Sequence, residues 1–217
     1  MTTTYNQIAG QSVERLAALS DGIFAVAMTL LVLDLHVPAV ESIHTEHDLW
    51  RALVLLSPQL VMYLMTFMTL GIFWLGQQTQ LNHLVGSHRS LAWLHIGFLF
   101  AVSIMPFLTR LLAEYPTYRL ALIAYWLNIV VLGGMLYLSW VCALDLGLVK
   151  PELSPAASTA IKRRIVTAQA LYTGAVLLCV VSTTASIAVI VLIQISYVFG
   201  LDFSRRATNP PPATPRQ

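Results

Sequence analysis

Long apolar runs dominate this sequence and fix what it can fold into. They extend from about Leu16 to Val37, Leu49 to Leu75, Ser90 to Leu112, Leu120 to Leu144 and Ile165 to Leu201. A helix that crosses a bilayer needs about 20 predominantly apolar residues. Four runs suit one span each, and the fifth, 37 residues long, suits two of roughly 17–18 residues. Hydrophobic residues make up 57% of the 217 and charged residues 10%, with a mean hydropathy of +0.73. A soluble domain carries about 25% charged residues, so this chain has too little polar surface to coat a water-soluble globule. A soluble enzyme and a disordered chain are both excluded. Six helices consume about 120 residues and leave no room for a separate catalytic domain of ordinary size.

The expected architecture is therefore an all-α integral membrane domain of six transmembrane helices over residues 1–203, followed by a proline-rich, disordered tail over 204–217. Pro58 kinks the second helix rather than ending it. The polar segment Gln77–Arg89 reads as a loop or a helix extension. Asp145–Arg164 is the longest polar link. Ser182–Ser186 is the one polar interruption of the last run, and the turn is placed there. Residues 1–14 carry no cationic leader, so no cleavable signal is expected. Cys142 and Cys179 lie in apolar runs and read as small buried hydrophobes.

Charge gives an independent check on the span count. Arg51, Arg110 and Arg119 fall on one side, and the other nine of the 12 basic residues fall on the opposite side. The positive-inside rule then puts both termini in the cytoplasm, which requires an even number of spans. Trp50, Trp74, Tyr115, Tyr118, Trp140 and Tyr197 sit near span ends, as an interfacial belt requires. The net charge of +2 offers no field that points to nucleic acid.

The first span carries the unusual residues: Arg15, Ser20 and Asp21. An ionisable group inside a membrane helix is costly and marks a functional site by default. Arg15 and Asp21 lie about 120° apart around a helix, so neither is the other's local partner. His83, His88 and Gln77 or Gln78 are the candidate partners from elsewhere. The alternative is that Ser20 caps a helix start and Asp21 favours its positive end. Further along, Gly22, Val26, Leu30, Leu33 and Val37 fall at spacings of 4, 4, 3 and 4 and form one narrow stripe, flanked by Thr29. Copies of such a helix around an axis would stack apolar rings beside a hydroxyl ring. Rings of this kind gate by dewetting and force ions to shed water.

The stretch Arg15-x-x-x-Leu19-Ser20-Asp21-Gly22, with the apolar segment that follows to Val37-Pro38, resembles the Arg-x-x-x-Phe-Ser-Asp signature of the transmembrane protein 175 family of potassium channels in its short prokaryotic form. Phe73-Trp74 and Met105-Pro106-Phe107 resemble the family more weakly. The resemblance implies a homotetrameric channel whose first helix lines the pore, without a re-entrant selectivity filter. It places Val26, Leu30 and Leu33, with Thr29 beside them, at the pore-lining and selectivity positions. It assigns Arg15, Ser20 and Asp21 to a buried network near the cytoplasmic end that holds the pore helix. Leu19 replaces the signature Phe, and Gln77-Gln78 stand where family members often carry a His pair.

The function so implied is a potassium-permeable cation channel in the plasma membrane, conducting passively. It needs no cofactor beyond the permeant K⁺ and other monovalent cations, and no partner beyond its own copies and the lipid bilayer. Asp34, Glu41, Glu46 and Asp48 cluster outside the first two spans, against Arg51 alone, and would concentrate cations at the outer mouth. A proton- or ion-coupled carrier is the alternative. Carriers place titratable groups near the bilayer midplane, whereas His95 and Gln194 are the few polar residues at any depth here. His44-x-x-His47 lacks the further rigid ligands of a metal site, and no enzyme motif accompanies it.

Overall fold

A computed structural model describes residues 12–35 and 43–198. Among the described residues it is all-helical, with six α-helices. These are α1 (Val13–Leu30, continued by a 3-10 turn Leu31–Asp34), α2 (Glu46–Leu81), α3 (Arg89–Glu114), α4 (Arg119–Asp145), α5 (Pro155–Leu177, followed by a 3-10 turn Leu178–Val180) and α6 (Thr183–Val198). Among the described residues four helices are long and apolar enough to cross a membrane: Val13–Asp34, Glu46–Leu81, Arg89–Glu114 and Arg119–Asp145. Thr183–Tyr197 is a shorter apolar helix. The chain is a multi-pass membrane protein. Residues 204–217, Glu41 and Val37-Pro38 lie outside the described residues.

Local chemistry explains where the helices start. Ser12 caps α1, its Oγ accepting from the Arg15 amide at 3.2 Å. Ser20 is therefore two turns inside the helix and caps nothing. Thr45 and Asp48 form a reciprocal capping box at the start of α2. That helix runs unbroken through Pro58 to Leu81, so the polar residues 77–81 are helix extension and not loop.

Two boundaries differ from the sequence reading. Ser154 caps α5, its Oγ accepting from the Ala157 amide at 3.2 Å, and Pro155 occupies the first turn, where its missing N–H costs nothing. The polar link after α4 is thus short, and Lys162, Arg163 and Arg164 are helical. The turn in the last apolar run falls earlier than Ser182–Ser186. The Ser182 Oγ accepts from the Ala185 amide at 3.3 Å, so the Ser/Thr cluster is a cap and first helical turn, the role such residues favour.

The core joins α1, α2, α3 and α4 around Phe24, Met65, Phe98, Val102, Leu122 and Tyr125. Within it lies a buried hydroxyl cluster. Thr66 Oγ1 is 2.8 Å from Thr109 Oγ1 and 3.2 Å from the Tyr125 hydroxyl, and Thr69 Oγ1 is 3.1 Å from that same hydroxyl. Gln194 Nε2 donates to Thr69 Oγ1 at 2.6 Å. The Thr69 and Thr109 hydroxyls donate to Met65 O and Met105 O, each at 2.8 Å, so Thr66 donates to Thr109. The Tyr125 proton then serves either Thr66 or Thr69. Four helices are tied by bonds that have no water to compete with them, which is how polar side chains act as glue in lipid.

Side-chain amides add further ties. Asn128 Nδ2 donates to Ala101 O, Gln80 Nε2 to Leu136 O and Gln169 Nε2 to Ile129 O, at 2.9, 3.1 and 3.1 Å. The last bond lays the Gln169 carboxamide directly over Gly133, where a Cβ would overlap it. The neighbouring Gly134 has open space. Gly133→Ala should therefore destabilise the packing of α4 on α5 by about 1–3 kcal/mol, read as a lowered melting midpoint in detergent. Gly134→Ala should leave that midpoint in place.

Candidate permeation site

The site rests on how α1 divides its surface. Leu16, Ser20, Phe24, Ala27 and Leu31 are buried, a 4-4-3-4 progression that defines one helix face. Gly22, Val26, Thr29, Leu30 and Leu33 lie on the other side and are exposed in the protomer. Val26, Leu30 and Leu33 are 57%, 43% and 69% exposed. The stripe thus faces away from the chain's own core. The Thr29 hydroxyl donates back to Ala25 O at 2.8 Å and lies 2.9 Å from Val26 O.

The signature residues separate into three environments. Ser20 is fully buried; its hydroxyl donates to Leu16 O at 2.8 Å and accepts from Gln77 Nε2 at 3.0 Å. Asp21 is exposed in the protomer, and its Oδ1 accepts from both Trp74 Nε1 and Gln78 Nε2, each at 2.7 Å. Arg15 is exposed, and its guanidinium pairs with none of the described residues. Of the candidate partners, Gln77 and Gln78 reach the signature. His83 instead faces Thr79 O at 2.7 Å, and the His88 ring accepts from the Ser90 amide as the cap of α3. Gln77 and Gln78 are consecutive, so they project in directions about 100° apart, which suits one to Ser20 and the other to Asp21.

The acidic groups at the opposite end are also dispersed in role. Asp48 Oδ2 accepts from the Thr45 amide at 3.0 Å and the Thr45 hydroxyl at 2.8 Å, so that carboxylate is committed to capping. Glu46 lies in the same first turn and is exposed. Asp34, at the end of the 3-10 turn, is 3.8 Å from Arg110 Nη1. Arg110 in turn donates to Glu114 at 2.9 Å. Arg110 thus stands beside Arg51 as a counter-charge to this cluster.

Sequence reasoning missed Trp74 as a partner of Asp21 and the hydroxyl cluster behind the helix. A signal existed. Thr66, Thr69, Gln77 and Gln80 are spaced 3, 8 and 3 along α2 and fall on its buried face with Phe73. Polar side chains in a membrane helix turn toward the bundle interior.

A family model described as the endosomal/lysosomal potassium channel TMEM175 matches residues 15–106, which span α1, α2 and most of α3. Residues 15–106 are thus similar to the TMEM175 family. The TMEM175 family is one of channels, not of enzymes. A potassium channel of Streptomyces collinus is 36% identical over 101 residues, 46% of this chain and 48% of that relative. The endosomal/lysosomal proton channel TMEM175 of Danio rerio is 30% identical over 118 residues, 52% of this chain and 23% of that relative. The matched part of the chain thus spans about half or less of these curated relatives. Along nearly its whole length the fold is similar to the crystal structure of a lysosomal potassium-selective channel TMEM175 homolog from Chamaesiphon minutus, with a TM-score of 0.75, 25% identity, and coverage of 88% of this chain and 98% of that one.

The Asp21 contacts generate a test within the segment similar to TMEM175. Trp74→Phe and Gln78→Leu each remove one charge-assisted bond and should each lower stability by about 1 kcal/mol at this exposed carboxylate. Because both act on one oxygen, neither should cost anything further in an Asp21→Ala background. Melting midpoints of the double-mutant cycles check this.

Proposed function

We propose that four copies of this chain surround a central pore lined by α1, and that the pore conducts K⁺ and other monovalent cations passively. The observation that carries the reading is the exposure of Gly22, Val26, Thr29, Leu30 and Leu33 on the α1 face opposite its packed one. The family match to residues 15–106 and the similarity to a potassium-selective channel homolog support it.

In this reading Val26, Leu30 and Leu33 form stacked apolar rings, with Thr29 hydroxyls beside them. A ring without donors or acceptors cannot replace an ion's water, so passage depends on how readily the ion sheds part of its shell. K⁺ holds its shell less tightly than Na⁺, so a narrow apolar ring favours K⁺. Ser20, Asp21, Gln77, Gln78 and Trp74 anchor one end of α1, and Arg15 remains available to a neighbouring copy. Both termini and the basic residues Lys150, Lys162, Arg163 and Arg164 are placed on the cytoplasmic side by the positive-inside rule, in the plasma membrane. Asp34, Glu41, Glu46 and Asp48 then stand at the outer mouth. Residues 1–203 form the channel domain and 204–217 a cytoplasmic tail.

Proton permeation is the second reading, favoured by the name of the Danio rerio relative. The exposed stripe from Gly22 to Leu33 carries no titratable side chain, which favours K⁺ over H⁺ through the rings.

Planar-bilayer recording of the purified protein under asymmetric K⁺ and Na⁺, with Cs⁺ in parallel, tests the reading. The reversal potential should track the K⁺ gradient; solute uptake without current would favour a coupled carrier, and a reversal that follows only pH would favour the proton reading. In the same recordings Leu30→Ser and Leu33→Ser should raise conductance and lower discrimination between K⁺ and Na⁺. Unchanged selectivity in both would remove these residues from the pore.

A further inference from the structure

The Asp34 end of α1 is built differently from the rest of the helix. The backbone tightens there from α to 3-10 over Leu31–Asp34, and Leu31 is the one buried residue of those four. Leu33, next to Asp34, is more exposed than Val26 or Leu30. Behind the turn lies a cavity of about 60 Å³, between Asp34, Gln59, Tyr63, Thr109, Arg110 and Glu114. Such a volume admits a few waters, to which Asp34, Gln59 and Arg110 offer polar partners although most of the lining, Leu31, Leu35 and Ala113 included, is apolar. The Gln59 Oε1 in its wall is buried and accepts a hydrogen bond from none of the described groups. Leu31 packs in the core with Phe24 and Ala27, whereas the Asp34 side of the turn borders this open space.

What crosses that space is Arg110. Its Nε donates to Glu114, one turn further along α3, at 2.9 Å, and its Nη1 lies 3.8 Å from Asp34 Oδ1. The i,i+4 bond to Glu114 fixes the guanidinium on α3. The contact to Asp34 then ties the 3-10 end of α1 to that fixed point. Thr109, beside Arg110, belongs to the buried hydroxyl cluster, so the anchor is itself held to α2 and α4.

We propose that Arg110 is a positioning residue for the outermost constriction: by linking Asp34 to Glu114 it sets the position of Leu33 relative to the pore axis. This rests on α1 lining the pore, as proposed above. Arg110 does not touch the permeating ion. It acts through Asp34 and the 3-10 turn, and its loss lets the turn relax into the cavity behind it. A half-exposed ion pair shifts such an equilibrium by about five-fold at most, so the effect is graded and not all-or-none.

The test compares wild type with Arg110→Gln, Arg110→Lys and Asp34→Asn, each purified as the assembled protein and recorded in bilayers. Arg110→Gln and Asp34→Asn should each change the K⁺/Na⁺ permeability ratio or the conductance by about two- to five-fold. Arg110→Lys should return both toward wild type, a rescue that loss of general stability would not give. If Arg110→Gln fails to assemble, Asp34→Asn decides, since it breaks the same link and leaves the bond to Glu114 in place. Wild-type permeation in both Arg110→Gln and Asp34→Asn overturns the proposal. A second readout needs no current. Nitroxide labels on Leu33→Cys and Leu120→Cys, in a chain whose Cys142 and Cys179 are replaced, report the position of the turn within one protomer. That distance should shift or broaden with Asp34→Asn, and an unchanged distribution overturns the proposal. A protein that passes no K⁺ current while the label distance moves would sink the channel reading and leave the Arg110 link standing.

Discussion

α1 is apolar on nearly every side, yet its own chain packs only one side of it. That imbalance governs everything else in the molecule. Phe24, Ala27 and Leu31 sink into the core, while Val26, Leu30 and Leu33 are left outside it. In water this would be an aggregation hazard. In a bilayer the exposed side meets either acyl chains or other copies of the helix, and lipid alone supplies no hydrophobic force to choose between them. The choice has to come from specific contacts. The Gln77–Ser20 and Gln78–Asp21 bonds at one end, and the Asp34–Arg110 pair at the other, fix the rotation of α1 so that one defined stripe faces outward.

The supporting helices do the work of holding that rotation. α2 is the central strut: Trp74, Gln77 and Gln78 near one end meet the signature of α1, while Thr66 and Thr69 further along bind Tyr125 of α4. Gln194 brings α6 to the same point. A polar group buried in hydrocarbon without a partner costs several kcal/mol, so this cluster resists rearrangement. Side-chain hydrogen bonds tie α2 and α4 closely, whereas the 3-10 end of α1 borders a cavity.

Much of this was legible in the sequence, because the bilayer imposes a length and a composition on anything that crosses it. The runs that became α1 to α4 were set by apolar length alone. The α1 stripe followed from a 3.6-residue period. The boundaries of α5 and α6 were harder, since Ser, Thr and Pro can mark either a loop or a helix start. At Ser154-Pro155 and at Ser182 they mark starts, and only the hydrogen bonds to Ala157 and Ala185 decide it. The pairing of Asp21 with Trp74 was hidden for another reason. The indole counted as an interfacial residue by type, and nothing in the order of residues says which carboxylate its N–H will meet 53 positions away. The Arg110–Asp34 pair is likewise a product of how α3 lies against the end of α1.

The central claim is the inward turn of the α1 stripe in a fourfold assembly, and a cryo-EM map of the purified protein in lipid nanodiscs tests it most directly. The account expects four copies with Val26, Leu30 and Leu33 facing a continuous conduit on the symmetry axis. A map in which those side chains lie against lipid, with no passage along the axis, would contradict it.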